Sequence, residues 1–189
     1  MKNITLITLF VGALAFITNA YASVSGNLGV TSDYLWRGTT QSNGEASVSG
    51  GLDYAGDSYY AGAWVGSIVG GEELDLYIGT DIQGFDVGVI KYIAGGAETT
   101  EYYVGYSVSG FDLSYAVEEG ASENDFYSVS YGFDISESLS ATLTVGDYYA
   151  TGDYTQLDVA YGDLTVTIVD SDKDDHGDVS YAVSYGWSL

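Results

Sequence analysis

The chain has 189 residues, with 27 Asp and Glu against 4 Lys and Arg and a formal net charge of -23. So acidic a surface repels nucleic acid and anionic solutes, which excludes nucleic acid as a partner. There is no cysteine for a disulfide framework, and zero proline with 26 glycines and 19 tyrosines suits a sheet held by its own ladders.

Residues 1–22 read as a secretory signal peptide. Met1-Lys2-Asn3 is a short basic start, Ile4 to Ile17 is apolar, and Ala20-Tyr21-Ala22 is a small-residue cleavage box. The apolar core is shorter than the roughly 20 residues a spanning helix needs. The mature chain, residues 23–189, holds no other apolar run long enough to cross a bilayer as a helix. If it enters a membrane it must do so as a closed barrel, because hydrocarbon cannot satisfy open backbone groups.

From Ser23 onward the hydrophobic pattern has period 2, the mark of strands with unlike faces. The first segment, Val24 to Trp36, sets Val24, Leu28, Val30, Tyr34 and Trp36 against Ser25, Asn27, Thr31 and Asp33. A polar loop follows, Arg37 to Gly44. The second segment, Ala46 to Tyr54, opposes Val48, Leu52 and Tyr54 to Ser47, Ser49 and Asp53. The third, Tyr59 to Val69, is apolar on both faces and its phase stays open. In the fourth, Leu74, Leu76, Ile78 and Ile82 alternate with Glu73, Asp75, Tyr77 and Asp81, and Gln83-Gly84 is a hairpin turn. The fifth carries Lys91 on the face of Phe85, Val87, Val89 and Ile93, which requires either a bulge or a snorkelling lysine. The sixth opposes Tyr102, Val104, Tyr106 and Val108 to Glu101, Tyr103, Gly105 and Ser107.

The seventh to eleventh segments, Phe111 to Glu118, Phe126 to Ile135, Leu139 to Val145, Gln156 to Tyr161 and Leu164 to Ile168, repeat large apolar residues against Ser, Thr, Gly and Asp. The twelfth, Val179 to Leu189, has Val179, Tyr181, Val183, Tyr185, Trp187 and Leu189 on one side and only Ser, Ala and Gly on the other. Connections after even segments are tight and most after odd segments are longer and polar, the asymmetry of an outer-membrane barrel. Aromatics fall at two levels: Tyr34, Trp36, Tyr92, Tyr102, Tyr127, Tyr149 and Tyr154 at the outer rim, and Tyr54, Tyr59, Phe85, Phe111, Phe133, Tyr161 and Trp187 at the inner one. The fold class expected is all-β: a single antiparallel transmembrane barrel of about twelve strands, in the outer membrane of a Gram-negative bacterium and reached through the periplasm.

Several stretches resemble the TorF-like porin family of proteobacteria. They are V-T-S-D-Y-L-W-R-G-T-T-Q-S (Val30 to Ser42), V-S-G-G-L-D-Y (Val48 to Tyr54), Y-A-G-A-W-V (Tyr60 to Val65), E-L-D-L-Y-I-G (Glu73 to Gly79) and G-V-I-K-Y (Gly88 to Tyr92). The resemblance covers the first half well, and the first motif is its most specific part. It implies an outer-membrane barrel of porin function and brings no catalytic residues.

Twelve strands at about 4.8 Å spacing and about 40° tilt give a backbone diameter near 24 Å, roughly enough for a narrow aqueous passage if no loop folds in. Inward acids would favour small cations or neutral solutes, since acidic rings concentrate cations. Asp33, Asp75, Glu101 and Asp158 are the candidate selectivity residues, with Arg37 the nearest cation, at the outer mouth. Asp170 to Asp178 has the alternating acids of a calcium loop but lacks its central glycine and terminal Glu. No metal site is therefore expected there; Asp170, Asp172 and Asp174 are the residues a divalent ion would use. Nothing calls for a cofactor or an enzyme activity: the single histidine, His176, lies in that loop without a nucleophile motif. The partners expected are outer-membrane lipid and small solutes, with monomer and trimer both open. The competing reading is a non-conducting structural or surface-interaction barrel.

Overall fold

The computed structural model describes residues 22–120, 124–150, 152–172 and 179–189. The signal peptide assigned to residues 1–22 lies outside it except for Ala22. Fourteen strands are present among the described residues: β1 (Ser23–Thr31), β2 (Leu35–Trp36), β3 (Thr39–Thr40), β4 (Ser47–Ala55), β5 (Tyr60–Ile68), β6 (Gly71–Ile82), β7 (Phe85–Ala94), β8 (Ala97–Val108), β9 (Phe111–Glu118), β10 (Asp125–Asp134), β11 (Leu139–Tyr148), β12 (Gly152–Tyr161), β13 (Leu164–Ser171) and β14 (Val179–Ser188). All but β2 and β3 join one closed antiparallel barrel in which each strand pairs with its sequence neighbours, and β1 closes it between β4 and β14. Closure leaves no open edge, the condition for a sheet in hydrocarbon.

Alternation decides which residues face which solvent, and it has the expected sense. On β6, Leu76 and Ile78 are 43% and 48% exposed on the outside, whereas Asp75, next to Leu76 in the chain, is 7% exposed inside. The turns fix the register. Gln83-Gly84 has both residues at positive φ, 58° and 87°, and Ser109-Gly110 repeats this at 53° and 85°. This is the two-residue hairpin turn whose twist matches that of the strands it joins.

Three expectations are corrected and one open phase, that of β5, is settled. First, β1 stops at Thr31, and the chain from Ser32 leaves the wall and folds inside as the β2–β3 hairpin. Second, the loops are shorter than expected on one side: β5–β6 and β7–β8 are joined by only Val69-Gly70 and Gly95-Gly96, because β6 and β8 extend further than their apolar stretches. Third, β5 takes the phase that puts its bulk inside: Trp64 is buried while Val65 is exposed. Fourth, of the outer-rim aromatics only Tyr102 and Tyr127 stand exposed on the outer face of the barrel; Tyr34 and Tyr154 are buried, and Trp36 and Tyr92 meet edge to face inside the barrel. The inner belt stands as expected, with Tyr54 against Tyr59, Phe85 against Tyr106, Phe111 against Tyr131 and Tyr185 against Trp187. Lys91 needs no bulge, since the β6–β7 register is unbroken; it lies outside and pairs with Glu98 at 2.5 Å.

The interior is lopsided. On the β4–β8 side, Tyr60 donates to Asp86 at 2.7 Å and shares a hydrogen bond with Tyr103, while Tyr77 donates to Asp53. Glycines make room for these rings: a Cβ at Gly79 would overlap the Tyr60 hydroxyl, and one at Gly88 the Tyr103 hydroxyl. Replacing Gly79 by Val should therefore destabilise the barrel by about 1–3 kcal/mol through overpacking. Gly71→Val on the same strand, where a Cβ meets open space, should stay within about 0.5 kcal/mol of the parent. Urea unfolding of the refolded protein checks both.

Candidate functional site

The site grows out of the sequence break at Ser32-Asp33. Asp33 is buried, and its Oδ1 accepts hydrogen bonds from the Thr40 and Ser42 hydroxyls and from the Gly44 backbone N–H. The Ser42 hydroxyl in turn accepts from the Tyr34 N–H at 2.8 Å. One carboxylate thus gathers both ends of the loop and makes a hairpin the lower-energy course. Its tip is Arg37-Gly38, at φ 46° and 86°, another two-residue turn with both residues left-handed. Arginine rarely takes that conformation, so the turn is held by what its side chain reaches.

That side chain reaches across the barrel to β8. Nη1 and Nη2 of Arg37 donate to the two oxygens of Glu101 at 2.6 and 2.8 Å, with the two side chains 2% and 4% exposed. The guanidinium also packs on aromatic faces, 3.8 Å from the Phe126 ring centre, 4.4 Å from Trp36 and 5.2 Å from Tyr148. Burial alone disfavours its charge, but the bonds to Glu101 more than offset this, and its pKa is held above the ordinary arginine value. Gly38 is pressed against the Tyr154 ring, where a Cβ would sit 2.8 Å from that residue's Cβ. Gly146 opposite leaves the space that the Tyr154 ring occupies.

The structure brings Arg37 and Glu101 together and places the other sequence candidates around them. Arg37 is not at the outer mouth but inside, because its loop turns inward. Asp33 is the clamp at the hairpin base. Asp75 lies inside between its strand neighbours Trp64 and Tyr92. Asp158 stands apart on β12, accepting from Thr167 at 2.6 Å and from Gln156 at 2.7 Å. Asp170 is exposed at the outer end of β13 and Asp172 follows it; Asp174 and His176 lie outside the described residues. Sequence reasoning missed the cage, Phe126, Tyr148 and Tyr154. Its signal was present as large aromatics at positions where the wall otherwise turns Ser, Thr or Gly inward.

From β10 round to β1 the inward residues include Ser128, Ser130, Thr144, Thr165, Thr167, Ser184 and Thr31, joined in places by hydroxyl pairs such as Ser130–Thr144 and Ser184–Thr31, both 2.8 Å. Between this hydroxyl wall and the hairpin lies a cavity of about 40 Å³, lined by Thr31, Asp33, Tyr34, Trp64, Gln156, Thr167 and Ser184 among others. That is room for one or a few waters.

The fold and site define an antiparallel twelve-stranded barrel with a hairpin plug anchored by a buried ion pair. The chain belongs to the family described as bacterial protein of unknown function (Gcw_chp), whose model matches residues 18–187. No curated protein matches it. Among solved structures, one from work on in-meso crystallization of membrane proteins is 12% identical, covering 87% of this chain and 84% of its own at a TM-score of 0.49. A mutant porin of Rhodopseudomonas blastica is 11% identical, covering 89% and 100% at 0.41. A bacterial polysaccharide outer membrane secretin is 9% identical, covering 88% and 63% at 0.38. Scores of this size carry no argument, and the fold rests on the strand pairing itself.

Removing one partner of the buried pair leaves the other charge stranded. Arg37→Ala and Glu101→Gln should each cost about 3–5 kcal/mol in whatever unfolding step releases the hairpin. Arg37→Lys should recover little, since one ammonium cannot span both carboxylate oxygens. Thermal melts followed by tryptophan fluorescence, with Trp36 in the hairpin as reporter, check the series.

Proposed function

We propose that this chain is an outer-membrane channel of a Gram-negative bacterium, closed at rest by the β2–β3 hairpin and favouring small cations or neutral solutes when the hairpin moves. The motifs shared with TorF-like porins support the same reading, as does an apolar outer surface with an aromatic belt at its turn-bearing end. The observation that carries it is the lopsided interior. Apart from the cage of Phe126, Tyr148 and Tyr154, the wall from β10 round to β1 is lined with short hydroxyl side chains that do not meet across a barrel of this strand number, so the hairpin fills the space beside them. The inward carboxylates Asp53, Glu73, Asp75, Asp86, Glu118 and Asp158 would face a permeating ion, while the buried guanidinium is committed to Glu101. Confined acids of one sign exclude anions and concentrate cations.

One observation favours the non-conducting alternative: the cavity beside the hairpin is only about 40 Å³, too small for a hydrated ion to pass. A barrel used as a scaffold or a surface-interaction protein would need nothing more.

Planar-bilayer recording separates the two. The mature protein should show rare, brief openings, and Arg37→Ala or Gly38→Val should raise the open fraction at least about tenfold by releasing the hairpin. Under a salt gradient the open state should prefer cations, and Asp158→Asn with Glu118→Gln should weaken that preference. Silence from every variant would leave the scaffold reading, and anion preference would remove the acidic interior from the mechanism.

A further inference from the structure

We propose that Asp75 and Glu73 of β6, with the Tyr34 hydroxyl of the hairpin, form a binding site for a single calcium-class divalent cation inside the barrel. The site rests on the barrel interior and the seated hairpin, and not on conduction.

The inward carboxylates are accounted for one by one. Both Glu101 oxygens are held by Arg37; Asp158 accepts from Thr167 and Gln156; Asp53 accepts from Asn27 and Tyr77; Asp86 accepts from Tyr60; Glu118 accepts from Asn124 and Tyr149; and Asp33 closes the hairpin base. Asp75 is the exception. It is more than nine-tenths buried, and its Oδ1 accepts no hydrogen bond from any of the described residues. A buried carboxylate oxygen left this way is costly unless a proton or a cation meets it.

A second carboxylate is at hand. Glu73 is two residues away on the same strand and so faces the same side, with about 6.6 Å between the two Cα atoms. Its Oε1 accepts from the Tyr34 hydroxyl at 3.3 Å, and that hydroxyl also lies within electrostatic reach of Asp75. Two such carboxylates repel each other when ionised, and together their charge equals that of one divalent ion. The donors are all hard oxygens, the class that suits Ca²⁺, which accepts irregular geometry and completes its shell with water. Because Tyr34 belongs to the hairpin, an ion bound here would tie the plug to the wall through β6 as well as through Glu101.

The wall supplies a reporter, since Trp64 is the cross-strand neighbour of Asp75. Terbium added to the detergent-refolded protein at neutral pH should give saturable emission excited through tryptophan, displaced by Ca²⁺. Asp75→Asn should abolish that emission and Glu73→Gln should weaken binding at least tenfold. Trp64→Phe should lose the emission while Ca²⁺ still raises the melting temperature. Heat-modified gel mobility verifies that each variant has folded. Titration of Asp75→Asn indistinguishable from the parent would assign the ion to the exposed acids and overturn the site. So would an infrared carbonyl band of protonated carboxyl that Ca²⁺ does not move and Asp75→Asn removes, since the neutralising partner would then be a proton. A barrel that binds terbium as described but never conducts would overturn the channel and leave this site standing.

Discussion

A guanidinium buried inside a closed barrel is the feature to which the rest of the interior answers. Desolvating that charge is costly, and the cost is met only because Glu101 takes both terminal nitrogens and three aromatic faces surround the planar group. The requirement runs outward from there. The turn must put Arg37 in a left-handed conformation to aim the side chain, Gly38 must lack a side chain to lie on Tyr154, and Asp33 must gather the loop ends so that the tip reaches far enough. Each is a local oddity in isolation, and together they are the conditions for one ion pair.

The remainder of the lumen is divided between two ways of treating polar groups. On the β4–β8 side, phenols and carboxylates bond to one another, and glycines at 79 and 88 lie under the rings, so this half is filled by its own wall. From β10 to β1, short hydroxyls and the three cage aromatics leave the filling to the hairpin. A uniform wall of either kind would behave differently. Tyrosines all round would close the barrel permanently, and hydroxyls all round would leave nothing for the hairpin to pack against.

Much of this was legible in the alternation. Strand number, the inward face of β6 and the inner aromatic belt follow from period 2 and from turns such as Gln83-Gly84, because two unlike faces make a one-residue slip costly. The hairpin was not legible by that means. Val24, Leu28, Val30, Tyr34 and Trp36 keep one parity without interruption, and parity says that residues share a face, not whether the chain remains in the wall. The distinguishing signs were chemical: an Asp with Thr and Ser seven and nine residues on to bond it, and an Arg-Gly pair at a turn. The phase of β5 was hidden for a different reason. Ala61, Ala63 and Val65 oppose Tyr60, Gly62 and Trp64, so both faces are apolar, and only the facing glycines and acids of neighbouring strands decide which goes in.

The barrel and its plug are energetically separable, which bears on whether such a plug can serve as more than filler. The closed sheet holds its strands by ladders between neighbours, and β1 reaches β14 and β4 through residues that end at Thr31, before the hairpin begins. Inside, the hairpin depends on its own turn, on the Asp33 clamp, on a backbone bond from the Val69 N–H to the Gln41 carbonyl, and on Arg37. Losing the Arg37 contact need not unpair any strand of the wall. The buried ion pair is thus an interaction outside the ladders of the wall, and a hairpin held in that way would be able to close a passage without making closure a condition of the barrel's folding.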